Sequence, residues 1–216
     1  MPMMSVHDLF EKAHRLLKQS NSAHNIRAAA DLMREAAGRG HAGAANNLGA
    51  LLQNGLGVSP DLEAARHYYE MAAKGGLPAA KFNLGFMWLE GLGGDQDSAE
   101  ARVLFETAGA DDDTDALTHL GRMAMIGQGG PQDFAAARTF WEKGARLGDS
   151  RCAFNLGVAS AGGHGAPPDF QQAFAWFMKA SDLGNRQAAS ELHKLAAVMD
   201  DTELAAARKL KAGLNG

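Results

Sequence analysis

One cysteine, eight histidines and a run of aspartates are the residues in this 216-residue chain with the chemistry of nucleophiles, metal ligands or acid–base pairs. A catalytic thiol needs exposure and positive charge beside it. Cys152 instead holds the place that Ala44, Ala80 and Ala116 hold at intervals of 36 residues. It therefore reads as a small core residue. The histidines show neither a His-Glu-x-x-His pattern nor a Cys/His ligand spacing. His164 sits in a glycine turn where a phosphate cradle is conceivable, but Leu56, Leu92 and Gln128 fill the same place elsewhere. Asp111, Asp112, Asp113 and Asp115 lack the alternating donors, glycine and distal glutamate of a calcium loop. Negative charge at a helix start is the simpler reading. No catalytic residue, no metal and no cofactor is expected, and the chain is not read as an enzyme.

What positions these residues is a repeat. Leu48-Gly49, Leu84-Gly85, Leu120-Gly121 and Leu156-Gly157 stand 36 apart, and a fixed period of this size means stacked supersecondary units. Glycines follow in register at Gly55, Gly91, Gly127 and Gly163, and again at Gly57, Gly93, Gly129 and Gly165. An aspartate comes next (Asp61, Asp97, Asp133, Asp169), then an alanine (Ala65, Ala101, Ala137, Ala173). A glycine inside a helix costs about 1 kcal/mol, so the Leu-Gly glycine implies a close helix approach. The second glycine pair suits a helix C-terminus, and the aspartate an N-cap. Glu100 and Gln172, three residues past their aspartates, have capping-box spacing. Each repeat is thus helix A, glycine turn, helix B, with Leu48, Leu52, Ala65, Tyr69 and Ala72 as the core of the first.

The period carried outward lands on Ala13 and His193, in degenerate end repeats whose outer faces meet water. Ser5 can cap the first helix, and its partner runs from about Ile26 to Ala37. A single solenoid domain over 1–216 is expected. It comprises an N-terminal capping repeat (1–43), full repeats 44–79, 80–115, 116–151 and 152–187, and C-terminal capping helices (188–216).

The pattern A-x-x-N-L-G, G-x-G, D, A-x-x-x-aromatic-x-x-A-A-x-x-G resembles the Sel-one-like repeat, a relative of the tetratricopeptide repeat. It is best kept in Ala44 to Gly76, Ala80 to Ala108 and Cys152 to Gly184; Ala116 to Gly148 has His119 in place of asparagine. The resemblance implies an all-α, α/α superhelical solenoid that scaffolds protein complexes, mostly in bacteria and in eukaryotic quality control. Some secreted members are cysteine-rich and linked to β-lactam chemistry; a chain with one cysteine does not match them.

The resemblance also implies that the second face of helix A lines a concave groove. The trios there are Asn46, Ala50, Gln53; Phe82, Phe86, Leu89; Thr118, Arg122, Met125; and Phe154, Val158, Ala161. The alternative is that these aromatics pack between repeats. Asn47, Asn83 and Asn155 recur before the leucine, and inter-repeat hydrogen bonds account for them better than ligand contacts.

The formal charge of −4 lacks the basic stripe that nucleic acid requires. No apolar run reaches the roughly 18 residues of a membrane span, and the N-terminus does not read as a secretory signal. A cytoplasmic, preferably monomeric scaffold with a protein or peptide partner is expected. An immunity-type inhibitor of a toxin is the alternative, ahead of a small-molecule-binding or hydrolytic protein.

Overall fold

The computed structural model describes residues 3–20 and 22–214, so the outermost limits expected for the domain lie outside the described residues. All regular structure there is helical: α1 (Val6–Gln19), α2 (Ala23–Gly38), α3 (Ala42–Asn54), α4 (Leu62–Lys74), α5 (Pro78–Glu90), α6 (Ser98–Ala110), α7 (Thr114–Ile126), α8 (Phe134–Arg146), α9 (Ser150–Ala161), α10 (Phe170–Asp182), α11 (Ala188–Ala196) and α12 (Asp201–Gly213). The second helix starts before the expected Ile26 because Ser22 accepts from the Asn25 amide and caps it.

The chain divides into two compact units, 1–111 and 112–216. In the first, α1 to α6 each pack on the next. In the second, α7 to α11 do so in turn, and α12 packs on α10. Helices α3, α5, α7 and α9 are the A helices of the four full repeats, and α4, α6, α8 and α10 their B helices.

The Leu-Gly glycine is the contact point within each hairpin. A Cβ on Gly49 would lie 2.9 Å from the Tyr69 ring, one on Gly85 2.8 Å from Phe105, and one on Gly157 2.6 Å from Phe177. Trp141 occupies the same space over Gly121. Each B helix thus places a large ring where the A helix has no side chain. Tyr69, Phe105 and Phe177 are buried in consequence. Leu48, Leu52, Ala65 and Ala72 are buried with them. Burying such a ring contributes roughly 1.5–3 kcal/mol.

The turns follow one scheme. Gly55, Gly91 and Gly127 are left-handed C-caps, and Gly163 adopts the same conformation at φ 67°. Asp61, Asp97, Asp133 and Asp169 then cap the B helices. The backbone amide of each cap donates back to helix A, at the carbonyls of Leu52, Trp88, Ala124 and Ser160. That amide is what the third residue of a capping box would bind, so the spacing at Glu100 and Gln172 does not make one. Gln172 Oε1 instead accepts from Arg138 Nη1 (3.3 Å) and Ser160 Oγ (3.0 Å). The full capping box lies at Asp200–Glu203, opening α12.

Arginine recurs in the B helices at Arg66, Arg102 and Arg138. Arg66, only 8% exposed, lies 3.4 Å over the Trp88 ring and donates to the Asp95 carbonyl at 3.3 Å. It fastens one repeat to the next.

Candidate partner-binding face

Three rows of side chains run along the A helices at the 36-residue step. The row Gln53, Leu89, Met125, Ala161 stands one helical turn beyond the ring-bearing glycine and turns toward helix B. Tyr69 Oη donates to Gln53 Oε1 at 2.8 Å. In the next repeat Phe105 has no hydroxyl, and the facing residue is apolar Leu89. Leu89 is 1% exposed. Its expected place in the groove is therefore corrected: the glycine that draws α6 close also closes α6 over Leu89. Gln53, Met125 and Ala161 are half-buried.

The row Asn46, Phe82, Thr118, Phe154 is half-buried. Asn46 Oδ1 accepts from Asn83 Nδ2 in the next A helix at 2.9 Å. Thr118 Oγ1 lies 3.2 Å from Cys152 Sγ, again one A helix on. Phe82 packs on Phe105 with ring centroids 5.5 Å apart, and Phe154 on Phe177 at 5.3 Å. Both phenylalanines thus have one side packed on the B helix of their own repeat.

The middle row faces outward most. Ala50 and Phe86 are half-buried in the first unit, and Arg122 and Val158 are exposed in the second. Thr118, His119, Arg122 and Asn155 line a recess of about 160 Å³ in the second unit. The Arg122 guanidinium makes no hydrogen bond or ion pair among the described residues. The contributions of His119 and Asn155 escape sequence reasoning because their register position elsewhere is structural. There, Asn47 Nδ2 is 3.1 Å from His14 Nε2, and Asn83 bonds Asn46. Those two asparagines make the inter-repeat hydrogen bonds expected of them.

The chemically suggestive residues are otherwise engaged. Cys152 is fully buried, and burial pushes its thiol up to about 12. Asp113 caps α7 by accepting from the Ala116 amide at 2.9 Å. Asp111 pairs with Lys81 (2.8 Å), Asp112 with Lys143 (2.7 Å) and Asp115 with Arg151 (2.6 Å). No group of three or more His, Cys, Asp or Glu among the described residues could hold a metal ion. No helix there is long and apolar enough to cross a membrane.

Hairpins of one length, closed by glycine and aspartate, with each B helix packed on the next A helix within a unit, define an all-α solenoid of helix-turn-helix repeats. The Sel1 repeat pattern matches residues 42–77, 78–113, 114–149 and 150–185, and the chain belongs to the Sel1 repeat family. Proteins of this family are generally protein-interaction scaffolds. A Sel1 repeat protein from Oxalobacter formigenes is 26% identical, with a TM-score of 0.79 over 85% of this chain and 76% of its own. The protective antigen c5321 of uropathogenic Escherichia coli, with an SLR fold, is also 26% identical, with a TM-score of 0.85. That match covers 98% of this chain and 46% of the antigen. Immunity protein Pa5087 from Pseudomonas aeruginosa is 17% identical over all of this chain and 84% of its own, with a TM-score of 0.56, and shares the fold alone. No curated protein matches.

Proposed function

We propose that this chain is a non-enzymatic interaction module that holds a peptide or partner protein against the middle row of its A helices. The observation that carries the reading is the outward row itself. Helices whose other faces are closed by rings and neighbouring repeats present Ala50 and Phe86 in one unit and Arg122 and Val158 in the other. In the second unit, exposed Val158 on α9 and the uncommitted guanidinium of Arg122 on α7 suit a partner segment that pairs a hydrophobic side chain with a carboxylate. Asn46, Gln53, Phe82, Thr118, Met125 and Phe154 flank that row and shape it.

Affinity capture from the native host with wild type, Phe86→Ala, Arg122→Glu and Val158→Asp, alongside thermal melts of each, tests this. The expected result is at least a tenfold loss of one captured partner in both Arg122→Glu and Val158→Asp, with melting temperatures within about 2 °C of wild type, while Phe86→Ala reports separately on the first unit. Equal capture by folded variants would refute the assignment.

A further inference from the structure

The asparagines of the A helices are tied to their neighbours in one unit and released in the other. In the first unit Asn83 Nδ2 donates to Asn46 Oδ1 at 2.9 Å, and Asn47 Nδ2 lies 3.1 Å from His14 Nε2. The corresponding rung is missing in the second unit. Thr118 stands in the register of Asn46, and its hydroxyl donates to the Thr114 carbonyl at 2.9 Å and lies 3.2 Å from Cys152 Sγ. Asn155, in the register of Asn83, is half-buried, and its side chain makes no hydrogen bond among the described residues.

Asn155 borders instead the recess of about 160 Å³ that it lines with Thr118, His119 and Arg122. Arg122 is exposed and has no counter-ion among the described residues. The acids nearest in sequence are already neutralised: Asp115, two turns earlier on the same face of α7, pairs with Arg151 at 2.6 Å, and Asp149 pairs with the same guanidinium at 2.5 Å. A fixed positive charge and an amide with its donors and acceptor unspent therefore share one space between α7 and α9. At about 30 Å³ per water in the liquid, the recess has the volume of roughly five, enough for a carboxylate and the carbon that carries it.

We propose that this recess is a carboxylate-binding site in which the Arg122 guanidinium and the Asn155 amide both donate to one carboxylate. The proposal rests on the reading above that the outward row of the A helices receives the partner, and adds which group of the partner enters and which second residue selects it. One guanidinium matches the single charge of a carboxylate, whereas a phosphate monoester, at about −1.5 to −2, is left with charge unmatched. The carboxylate belongs to a chain terminus or to an acidic side chain. Asn155 Oδ1 remains to accept a main-chain N–H beside it. Val158, one turn along α9 from Asn155 and 43% exposed, is placed to meet the neighbouring apolar group.

The test titrates the isotope-labelled full chain with N-acetyl-leucine, N-acetyl-leucinamide, N-acetyl-glutamic acid α-amide and inorganic phosphate, following the Asn155 and Arg122 side-chain signals by NMR. Saturable shifts of both side chains are expected with a carboxylate. N-acetyl-leucine presents a chain end and the glutamic acid amide an acidic side chain, so the tighter of the two names the source. N-acetyl-leucinamide and phosphate should bind about fivefold more weakly or not at all, and Arg122→Gln and Asn155→Ala should each weaken the carboxylate by about the same factor. Arg122→Gln, at an exposed position, should keep the wild-type melt and carries the test where Asn155→Ala loses stability. No saturable shift with either carboxylate, equal binding of the amide or phosphate, or unchanged binding in either folded variant overturns the proposal. Partner capture that depends on Arg122 and Val158 while neither carboxylate binds keeps the outward row and discards the recess, and carboxylate binding with capture unaffected does the reverse.

Discussion

The sulfur of Cys152 fills the space left by the missing side chain of Gly144. A Cβ on Gly144 would collide with Cys152 Sγ and come within 3.1 Å of Cys152 Cβ. Two repeats earlier the same positions are Ala72 and Ala80, so the pair keeps its combined volume while moving it from helix B to helix A. Gly144→Ala alone should destabilise, because overpacking costs about 1–3 kcal/mol and a helical alanine returns only about 1. Cys152→Ala alone should cost about 1 kcal/mol from the space it leaves. In the double variant the sign of Gly144→Ala reverses, and the pair returns to the Ala72/Ala80 arrangement. Urea unfolding of all four proteins reads the cycle. Additive losses would show that the two positions do not share one space.

The Gln53–Tyr69 pair and its apolar copy, Leu89–Phe105, predict a second coupling. Leu89→Gln buries an amide with no hydroxyl to meet it, and should cost about 1–3 kcal/mol. Adding Phe105→Tyr should recover most of that loss by recreating the 2.8 Å bond of the first repeat. Leu89→Ala should cost about 2–5 kcal/mol, as for a core leucine, and leave partner capture unchanged in the folded protein. Selective loss of capture without loss of stability would return Leu89 to the binding face.

Alkaline pH should loosen the structure in two steps. Burial raises the Cys152 thiol from 9.0 to about 12 and the Tyr69 phenol from 10.0 to about 12. Both groups are neutral in the folded protein over a range where the unfolded chain ionises. Their contribution is intact below pH 9 and is lost as pH rises from 9 toward 12. Melts between pH 8 and 11 should show the decline beginning near 9 in wild type and nearer 10 in Cys152→Ala. Identical curves for the two proteins would contradict the thiol's part.

Asp112 predicts a stabilising glycine. It adopts φ 64° where the other repeats have Gly40, Gly76, Gly148 and Gly184, all at positive φ. Asp112→Gly removes about 1 kcal/mol of backbone strain. It also forgoes an exposed ion pair with Lys143, worth about 0–1 kcal/mol. The melting temperature should be unchanged or a few degrees higher, and the gain should grow in high salt, where the lost pair counts for least. A fall in stability at every ionic strength would show that Lys143 holds this turn.

Periodic features of the fold were legible because each is a local backbone requirement repeated four times. The Leu-Gly contact, the left-handed glycines and the capping aspartates belong to this class. The capping box misled because its spacing is local while the competing acceptor, a helix A carbonyl, arrives through the turn. On the A-helix face, Gln53 and Leu89 have the spacing of groove residues, but only helix B decides that their row is covered. Asn47 and Asn83 were readable as inter-repeat contacts because register alone implies a neighbour. The seating of α12 on α10 was not readable, since the period fades after Asn185 and nothing local distinguishes a stacked helix from a folded-back one.

The turns themselves come in two chemistries between the same two fixed points. Gln96 and Gln132 reach back to the carbonyls of Leu89 and Met125, at 2.6 and 2.9 Å. Pro60 and Pro168 instead press their rings against Gly55 and Gly163. In both kinds the cap amide returns to helix A, so where helix B begins is set by the return bond and not by the intervening residues. These segments are therefore graftable. A foreign sequence spliced between Gly129 and Gln132 enters a bracket already closed at both ends, and the fold can display an inserted epitope there without re-engineering its helices.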